Sequence, residues 1–195
     1  MQECGEGGLA HLGGQAAGAQ ARDILVGVSG ASGMALAASL LRLLAGMPWV
    51  RVHCVVSQGA RAVLQAECGA GPASGSWWRR GAVPAAMLVA PCSMGTLGAL
   101  ASGATRNLLQ RAADVALKER LTLVLVTRES PLSAVHLRNM LTLQEAGAVI
   151  MPFSPGFYLR PQTLDELLRQ SCGRIFDQLG LPHRLGRWGE ALAQA

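Results

Sequence analysis

A glycine- and serine-rich turn in the first part of the chain has the residue types needed to hold an anion. The turn reads Gly27-Val28-Ser29-Gly30-Ala31-Ser32-Gly33, between an apolar run at 24–28 and helical periodicity at 34–44. The pattern predicts strand, turn and helix. Glycines let a ligand approach the backbone, and the first amides of a helix favour a negative charge. With Ser29 and Ser32 as hydroxyl donors, the turn is predicted to be a phosphate cradle.

The spacing of these glycines does not specify which phosphate is bound. It differs from G-x-G-x-x-G, so the dinucleotide fingerprint is absent. A tight strand-to-helix connection that binds nothing is the alternative interpretation of the turn.

Three further predicted strands are each followed at once by polar residues. These residues are Ser57, the segment Cys92-Ser93-Met94-Gly95-Thr96, and the pair Arg128 and Glu129. Strands alternate with helical patterns along the chain, which predicts a parallel sheet. Ligands of such sheets bind outside the carboxyl ends of the strands. We therefore expect the polar residues to converge on one rim of the sheet.

The element order predicts a doubly wound α/β fold with a mostly parallel sheet covered by helices on both faces. The predicted strands are 24–28, 50–56, 85–90, 121–126 and 148–151. Helices are predicted at 34–44, 60–67, after Thr96, at 107–118, from Ser130-Pro131 to 146, and at 163–179. Pro91 is expected to stop the third strand, and Ser130-Pro131 to cap a helix. Residues 1–22 are predicted to be a disordered extension, and 23–195 a single domain.

Composition excludes several classes of protein and site. The net charge of +5 is scattered along 195 residues, which fits small anionic ligands better than nucleic acid. Five cysteines without a C-x-x-C pair indicate neither a disulfide framework nor a zinc site, and no metal is expected. A reducing cytoplasm is the simplest setting. Half of the residues are hydrophobic and only 15% are charged, which favours a large homo-oligomer.

Five long motifs resemble those of the UbiX flavin prenyltransferases. They are Gly27-Val28-Ser29-Gly30-Ala31-Ser32-Gly33, Ala90-Pro91-Cys92-Ser93-Met94-Gly95-Thr96-Leu97, Arg111-Ala112-Ala113-Asp114-Val115-Ala116-Leu117-Lys118-Glu119-Arg120, Leu123-Val124-Leu125-Val126-Thr127-Arg128-Glu129-Ser130-Pro131-Leu132, and Pro155-Gly156-Phe157-Tyr158. The similarity covers about residues 23–190 and keeps the order of the family.

The resemblance implies a flavodoxin-like Rossmann three-layer sandwich that assembles as a dodecamer, with FMN at subunit interfaces. It implies metal-independent transfer of a dimethylallyl group from dimethylallyl phosphate to N5 and C6 of reduced FMN. The prenylated FMN would pass to a UbiD-type decarboxylase. Whether that partner works in quinone synthesis or in aromatic-acid breakdown is left open.

The matching motifs also imply site residues. FMN would be bound by Gly30, Ala31, Ser32, Ser57, Ser93, Met94, Gly95, Thr96 and Arg128. The prenyl donor would be held by Tyr158 and Arg174, with Lys118, Arg111 and Trp188 nearby. Glu129, Ser32 and Glu67 would take catalytic roles, with Ser32 close to the reacting edge of the flavin. A proton must leave C6, and a carboxylate such as Glu129 or the bound phosphate could accept it.

Each of the charged and aromatic candidates also has a plain structural interpretation. Arg128 and Glu129 could form a solvated pair, Lys118 could end an exposed helix, and Arg174 could lie along an apolar helix face. Tyr158 could serve packing alone, and Trp188 could anchor the carboxyl-terminal tail.

One region departs from the family. The segment 68–84 is shorter than the family's, and it carries a cluster at 77–80, Trp77-Trp78-Arg79-Arg80. Single-stranded nucleic acid or a subunit contact could use this cluster, and the contact is favoured. The alternative functions are an FMN-dependent cysteine-type decarboxylase, whose Asn-Thr motif is missing after Pro72-Ala73-Ser74-Gly75-Ser76, and a flavin carrier.

Overall fold

The computed structural model describes residues 21–69 and 84–187 of the chain. Its strands are β1 (Arg22–Val28), β2 (Val50–Val56), β3 (Ala86–Cys92), β4 (Thr122–Thr127) and β5 (Val149–Pro152). Its helices are α1 (Met34–Ala45), α2 (Gln58–Cys68), α3 (Met94–Ala101), α4 (Leu108–Lys118), α5 (Ala134–Glu145) and α6 (Leu164–Gln178).

The strands form one sheet in the order β2-β1-β3-β4-β5, and every neighbouring pair is parallel. This order is that of flavodoxin-like folds, in which the chain reverses direction across the sheet between β1 and β3. The predicted doubly wound α/β class is therefore confirmed. The same order predicts a ligand crevice at the carboxyl ends of β1 and β3.

Alternate residues of the central strands feed two separate hydrophobic layers. Ile24 and Val26 of β1 face a layer built with α1 and α6, which includes Phe176. Leu25 faces the opposite layer, which α3, α4 and α5 complete with residues such as Leu97. Because both faces are covered, the central strands are mainly apolar, and all seven residues of β3 are buried.

Pro91 does not stop the third strand, contrary to the prediction. β3 continues to Cys92, which pairs with Thr127 of β4 after a shift in register that follows Val89. A proline has no N–H to donate, and it is tolerated where the ladder is irregular. Its carbonyl oxygen accepts from the backbone N–H of Ser29 at 3.2 Å.

The helix predicted to start at Ser130-Pro131 begins later, so this prediction is wrong. Ser133 is the N-cap of α5, and its Oγ accepts from the backbone N–H of His136 at 3.2 Å. The N–H of Ser133 donates in return to Nδ1 of His136 at 3.3 Å. This is a capping box in which histidine replaces the usual glutamate, so the sequence signal was hidden.

The fold begins slightly before the predicted domain boundary. Arg22 already belongs to β1, and its guanidinium donates to the carbonyl oxygens of Gly180 and Leu179 at 2.8 and 3.2 Å. The predictions for residues 1–20, for most of the 68–84 region with its cluster at 77–80, and for Trp188 lie outside the described residues. Within 21–69 and 84–187, no helix is long and apolar enough to cross a membrane.

Candidate functional site

Ser29 joins the two polar turns at the carboxyl ends of β1 and β3. Its side chain is completely buried, and its Oγ donates to the carbonyl oxygen of Pro91 at 2.9 Å. The same Oγ accepts from the backbone N–H of Ser93 at 2.7 Å. The prediction that the Ser29 hydroxyl serves a ligand is therefore wrong, because both of its bonds hold the protein together.

Glu67, at the end of α2, caps the amino terminus of α1. Its carboxylate accepts from the backbone N–H of Met34 at 2.8 Å and from that of Gly33 at 3.1 Å. The predicted phosphate cradle is thus partly filled by the protein's own carboxylate, which a helix amino terminus favours as it does a phosphate. These amides are not free to bind a ligand while Glu67 occupies them.

The surroundings of Glu67 favour its ionised form. Desolvation alone would raise the pKa of this carboxyl, but the hydrogen bonds outweigh it and the pKa is lowered. The donors are the Ser32 side chain and the amides of Met34 and Gly33, and the positive charge of Arg128 acts in the same direction. Two predicted catalytic residues, Ser32 and Glu67, are therefore near each other, and the predicted FMN ligand Arg128 is near enough to act on the Glu67 carboxyl.

A cavity of about 720 Å³ opens at the crevice between β1 and β3. Five predicted FMN ligands line it: Gly30, Ser57, Ser93, Gly95 and Thr96. Ser57 and Ser93 are the N-caps of α2 and α3, so the amino termini of two helices border the same space. The unpaired amides of such termini attract anions, which makes this cavity the better candidate for a phosphate.

Gly30 is required by a close approach of two backbones. A Cβ at this position would lie 2.8 Å from the carbonyl carbon of Gly59, in the first turn of α2. Real Cβ atoms do not come so near to backbone, so any side chain at Gly30 would push the turn and α2 apart. At Gly95, by contrast, a Cβ would meet nothing within 4 Å.

The residues that line the same cavity without having been predicted as site residues include three polar ones at the start of α4: Arg106, Asn107 and Gln110. Asn107 caps α4 by accepting from the backbone N–H of Gln110 at 2.9 Å. Gln110 in turn accepts from the backbone N–H of Arg106 at 2.8 Å through Oε1. The helix start at Asn107 was visible in the sequence, and in a parallel sheet such a start lies at the ligand-binding rim.

Arg128 and Glu129 line a second cavity, of about 290 Å³, at the end of β4. Nε of Arg128 is buried, and none of the described residues accepts a hydrogen bond from it. A buried donor of this kind calls for a ligand or water as its partner. Glu129 is exposed and accepts from the neighbouring N–H of Ser130 at 3.2 Å.

Tyr158 and Arg174 share a small cavity of about 40 Å³. Ser154 lines both this cavity and that of Arg128, so the two spaces adjoin at the ends of β4 and β5. The ring of Tyr158 lies directly over Gly156, where any Cβ would clash with it. Arg174 donates through Nη1 to Oδ2 of Asp177 at 3.2 Å.

Lys118 and Arg111 lie apart from these cavities. Both are exposed on α4, where Lys118 pairs with Glu119 and Arg111 with Asp114, each at 2.7 Å. Lys118 is the last residue of α4, and that end of the helix faces the amino end of β4. One copy of the chain therefore does not bring Lys118 to Arg174.

The flavoprotein family profile matches residues 16–166 of the chain. Flavin prenyltransferase UbiX of Deinococcus radiodurans is 44% identical over 178 residues, which cover 81% of this chain and 88% of that protein. The chain belongs to the UbiX flavin prenyltransferase family. The UbiX protein of Pseudomonas aeruginosa is 55% identical over 120 residues. These residues make up 61% of this chain and 55% of that protein, so the chain spans about half the length of this relative.

Two solved structures of UbiX type superpose on this chain. AnUbiX, in complex with FMN and dimethylallyl pyrophosphate, is 38% identical in sequence and superposes with a TM-score of 0.73. The superposition covers 87% of this chain and 100% of the AnUbiX chain. A dodecameric FMN-dependent UbiX-like decarboxylase from Escherichia coli O157:H7 is 37% identical with a TM-score of 0.76, covering 85% and 97%. The predicted membership of the UbiX family is confirmed.

Two of the cysteines, Cys92 and Cys172, are buried. Burial raises the pKa of the Cys92 thiol to about 12 and that of Cys172 to about 11, so neither is a nucleophile at neutral pH. Within the described residues, no three His, Cys, Asp or Glu side chains gather into a possible metal site.

Proposed function

We propose that this protein is a flavin prenyltransferase, which transfers a dimethylallyl group from dimethylallyl phosphate to reduced FMN. The observation that carries the proposal is the cavity at the β1–β3 crevice, because five of the residues that line it match the FMN-binding motifs of the family. AnUbiX, a relative of the same fold, binds both FMN and a dimethylallyl donor.

The residues present fit a bound flavin phosphate. Ser57 and Ser93 place the starts of α2 and α3 at one cavity, and Gly30 leaves its wall free of a side chain. Nε of Arg128, which is buried and has no hydrogen-bond partner among the described residues, offers a donor to the flavin from the cavity at the end of β4. Ala31 and Met94 complete the set of residues that we propose for FMN. Reduced flavin supplies the nucleophilic nitrogen and carbon, N5 and C6, of this reaction.

Tyr158 and Arg174 are proposed to hold the phosphate of the prenyl donor. They line one cavity, and the guanidinium and phenol provide donors for the charge that grows on the leaving phosphate. Lys118 and Arg111 would reach such a site only from a second copy of the chain, which agrees with the proposed dodecamer. Trp188, which lies outside the described residues, is proposed to offer an aromatic face to the allyl cation.

Proton removal from the flavin carbon is assigned to Glu129 or to the departing phosphate. Glu129 is exposed beside Arg128 at the end of β4, so it is accessible to a ligand in that cavity. Glu67, whose pKa is lowered, stays ionised near Ser32 at the same rim. We propose that this pair faces the reacting edge of the flavin.

The product, prenylated FMN, would be consumed by a UbiD-type decarboxylase, and the protein is proposed to work in the cytoplasm. The E. coli relative is dodecameric, which supports the proposed oligomer. The alternative function, an FMN-dependent cysteine-type decarboxylase, has no observation of its own in the structure, and the segment 72–76 that bears on it lies outside the described residues.

The decisive experiment is an anoxic incubation of the purified protein with reduced FMN and dimethylallyl phosphate, followed by mass spectrometry of the flavin. We expect FMN that is heavier by one dimethylallyl group. Dimethylallyl pyrophosphate in a parallel reaction establishes which leaving group is used. Bound but unmodified FMN with both donors would contradict the proposal and leave a flavin carrier.

A further inference from the structure

Asp177, in the last turn of α6, connects a predicted substrate-binding arginine to the segment that follows the helix. Its Oδ2 accepts from Nη1 of Arg174 at 3.2 Å. Its Oδ1 accepts from Nε and Nη2 of Arg187 at 3.1 and 2.9 Å, and lies 3.0 Å from Nε2 of His183. The two oxygens of the Asp177 carboxylate thus contact different partners, Oδ2 the predicted substrate-binding arginine and Oδ1 the segment after the helix.

The contacts of His183 fix which ring nitrogen carries the proton. The backbone N–H of Leu185 donates to Nδ1 at 3.1 Å, so Nδ1 is an acceptor and Nε2 carries the hydrogen. Nε2 therefore donates to Oδ1 of Asp177, and Nη2 of Arg187, which lies 3.2 Å from Nε2, donates to the same oxygen. The His183 side chain is only 2% exposed, and its ring packs edge-on against Phe176 with centroids 5.9 Å apart. This oxygen of Asp177 is consequently held by a rigid, buried donor.

Arg174 has little else in the described structure to fix its direction. Its side chain is 53% exposed, and a long exposed arginine has many rotamers of similar energy. The bond to Asp177 uses one N–H of Nη1, so the other guanidinium donors can still face the cavity shared with Tyr158. A guanidinium held at one end in this way is preorganised for an anion at the other.

The carboxylate remains charged at neutral pH. Desolvation would raise the pKa of Asp177, but the hydrogen bonds from Arg187 and His183 and the positive charge of Arg187 lower it. The Asp177 carboxylate is therefore ionised throughout the pH range in which an enzyme of this kind would work.

We propose that Asp177 is a positioning residue: held by His183 and Arg187, it orients Arg174 toward the phosphate of the prenyl donor. The inference rests on the proposed function, and it adds a residue that does not itself touch the substrate. It also makes the segment 183–187 part of the donor site, because that segment fixes the carboxylate that fixes Arg174.

The test compares steady-state kinetics of the wild type and Asp177→Ala with dimethylallyl phosphate as the varied substrate. We expect FMN binding to be retained and kcat/KM to fall by about 10- to 100-fold, as a misplaced binding group produces. Asp177→Asn keeps the size and one acceptor oxygen, and we expect it to recover part of the loss.

A double variant separates positioning from a structural role. If Asp177 acts through Arg174, then adding Asp177→Ala to Arg174→Ala causes little further loss of kcat/KM. Asp165→Ala is the matched control, since Asp165 is another aspartate of α6 that pairs with an arginine, Arg42, at 3.8 Å. We expect it to leave the kinetics unchanged.

The outcomes are distinguishable. A lower thermal midpoint for Asp177→Ala with unchanged kcat and KM would overturn the inference and show a structural role alone. If Asp177→Ala does not fold, wild-type kinetics in Asp177→Asn would overturn it equally, and a selective rise in KM would support it. Failure of the wild type itself to prenylate FMN would instead contradict the proposed function.

Discussion

Ser29 and Ser93, 64 residues apart in sequence, share one hydrogen bond of 2.7 Å between the hydroxyl oxygen of Ser29 and the amide of Ser93. That bond sets the distance between the turn after β1 and the turn after β3. Since both turns border the proposed flavin site, the width of the crevice depends on a side chain that never reaches the ligand.

Ser29→Ala should destabilise the protein. The substitution removes the bonds of a completely buried hydroxyl and leaves the partly buried amide of Ser93 without this partner, and such a loss costs about 1–3 kcal/mol of unfolding free energy. Urea denaturation at a fixed FMN concentration measures the change. Thr142→Ala is the control, since the Thr142 residue is exposed on α5 and its hydroxyl donates to the carbonyl oxygen of Arg138 in the same helix. Equal stabilities of the two variants would contradict the structural role of Ser29.

Gly30→Ala and Gly59→Ala probe the two sides of one contact with opposite expected results. A Cβ at Gly30 meets the Gly59 carbonyl carbon at 2.8 Å, whereas a Cβ at Gly59 meets the Cα of Gly30 at an ordinary 3.5 Å. Gly30→Ala should therefore cost about 1–3 kcal/mol through overpacking. Gly59→Ala lies within α2 and should be neutral or slightly stabilising. Thermal unfolding of both variants without flavin checks the prediction, which fails if Gly30→Ala melts with the wild type.

The cap that Glu67 forms on α1 should make stability depend on pH in the acid range. The pKa of this carboxyl is lowered in the folded protein, so the ionised cap stabilises the fold above the unfolded pKa of about 4.3. That contribution is lost as the pH falls through the lowered folded value. Urea denaturation of the wild type and Glu67→Gln should show a difference that is largest near neutral pH and shrinks in acid. A difference independent of pH would mean that the charge of Glu67 contributes nothing.

Arg174→Ala should separate binding of the flavin from transfer of the prenyl group. Arg174 lines the cavity of Tyr158 and not the large cavity at the β1–β3 crevice. We expect the variant to retain FMN and to lose roughly 10²–10³ in prenyl-transfer rate, the usual cost of removing one donor to a developing charge. Arg42→Ala, at an exposed arginine that pairs with Asp165, is the control. A colourless Arg174→Ala protein would instead assign Arg174 to the flavin.

The sequence predicted the fold class and the rim where the polar turns meet, because strand hydrophobicity and glycine-rich turns are local signals. It could not show that the Ser29 hydroxyl forms its hydrogen bonds within the protein, since these bonds depend on how near the ends of β1 and β3 come to each other. Nor could it show that Glu67 occupies the amides of Gly33 and Met34, because the carboxylate arrives from α2, more than 30 residues later. Asp177 was missed for a similar reason, as its partner Arg187 lies ten residues further along.

The roles of the individual site residues remain predictions. Tyr158, Arg174, Arg128 and Glu129 do come together around the ends of β4 and β5, as the strand order requires. Lys118 and Arg111 do not join them within one copy, and a sequence carries no direct record of contacts between copies. Oligomer geometry is therefore the part of the site that the chain alone specifies least.

The two hydrogen bonds of the Ser29 hydroxyl, to Pro91 and Ser93, also have a consequence for folding. The glycine-rich turn cannot take its final shape until β1 has found β3, since Ser29 Oγ completes its bonds only with Pro91 and Ser93. The loop of about 60 residues between Ser29 and Ser93 must close first. The entropic cost of that closure is therefore incurred before the hydrogen bonds of Ser29 can form. A nascent or truncated chain that ends before residue 93 would carry the whole turn and still present no crevice.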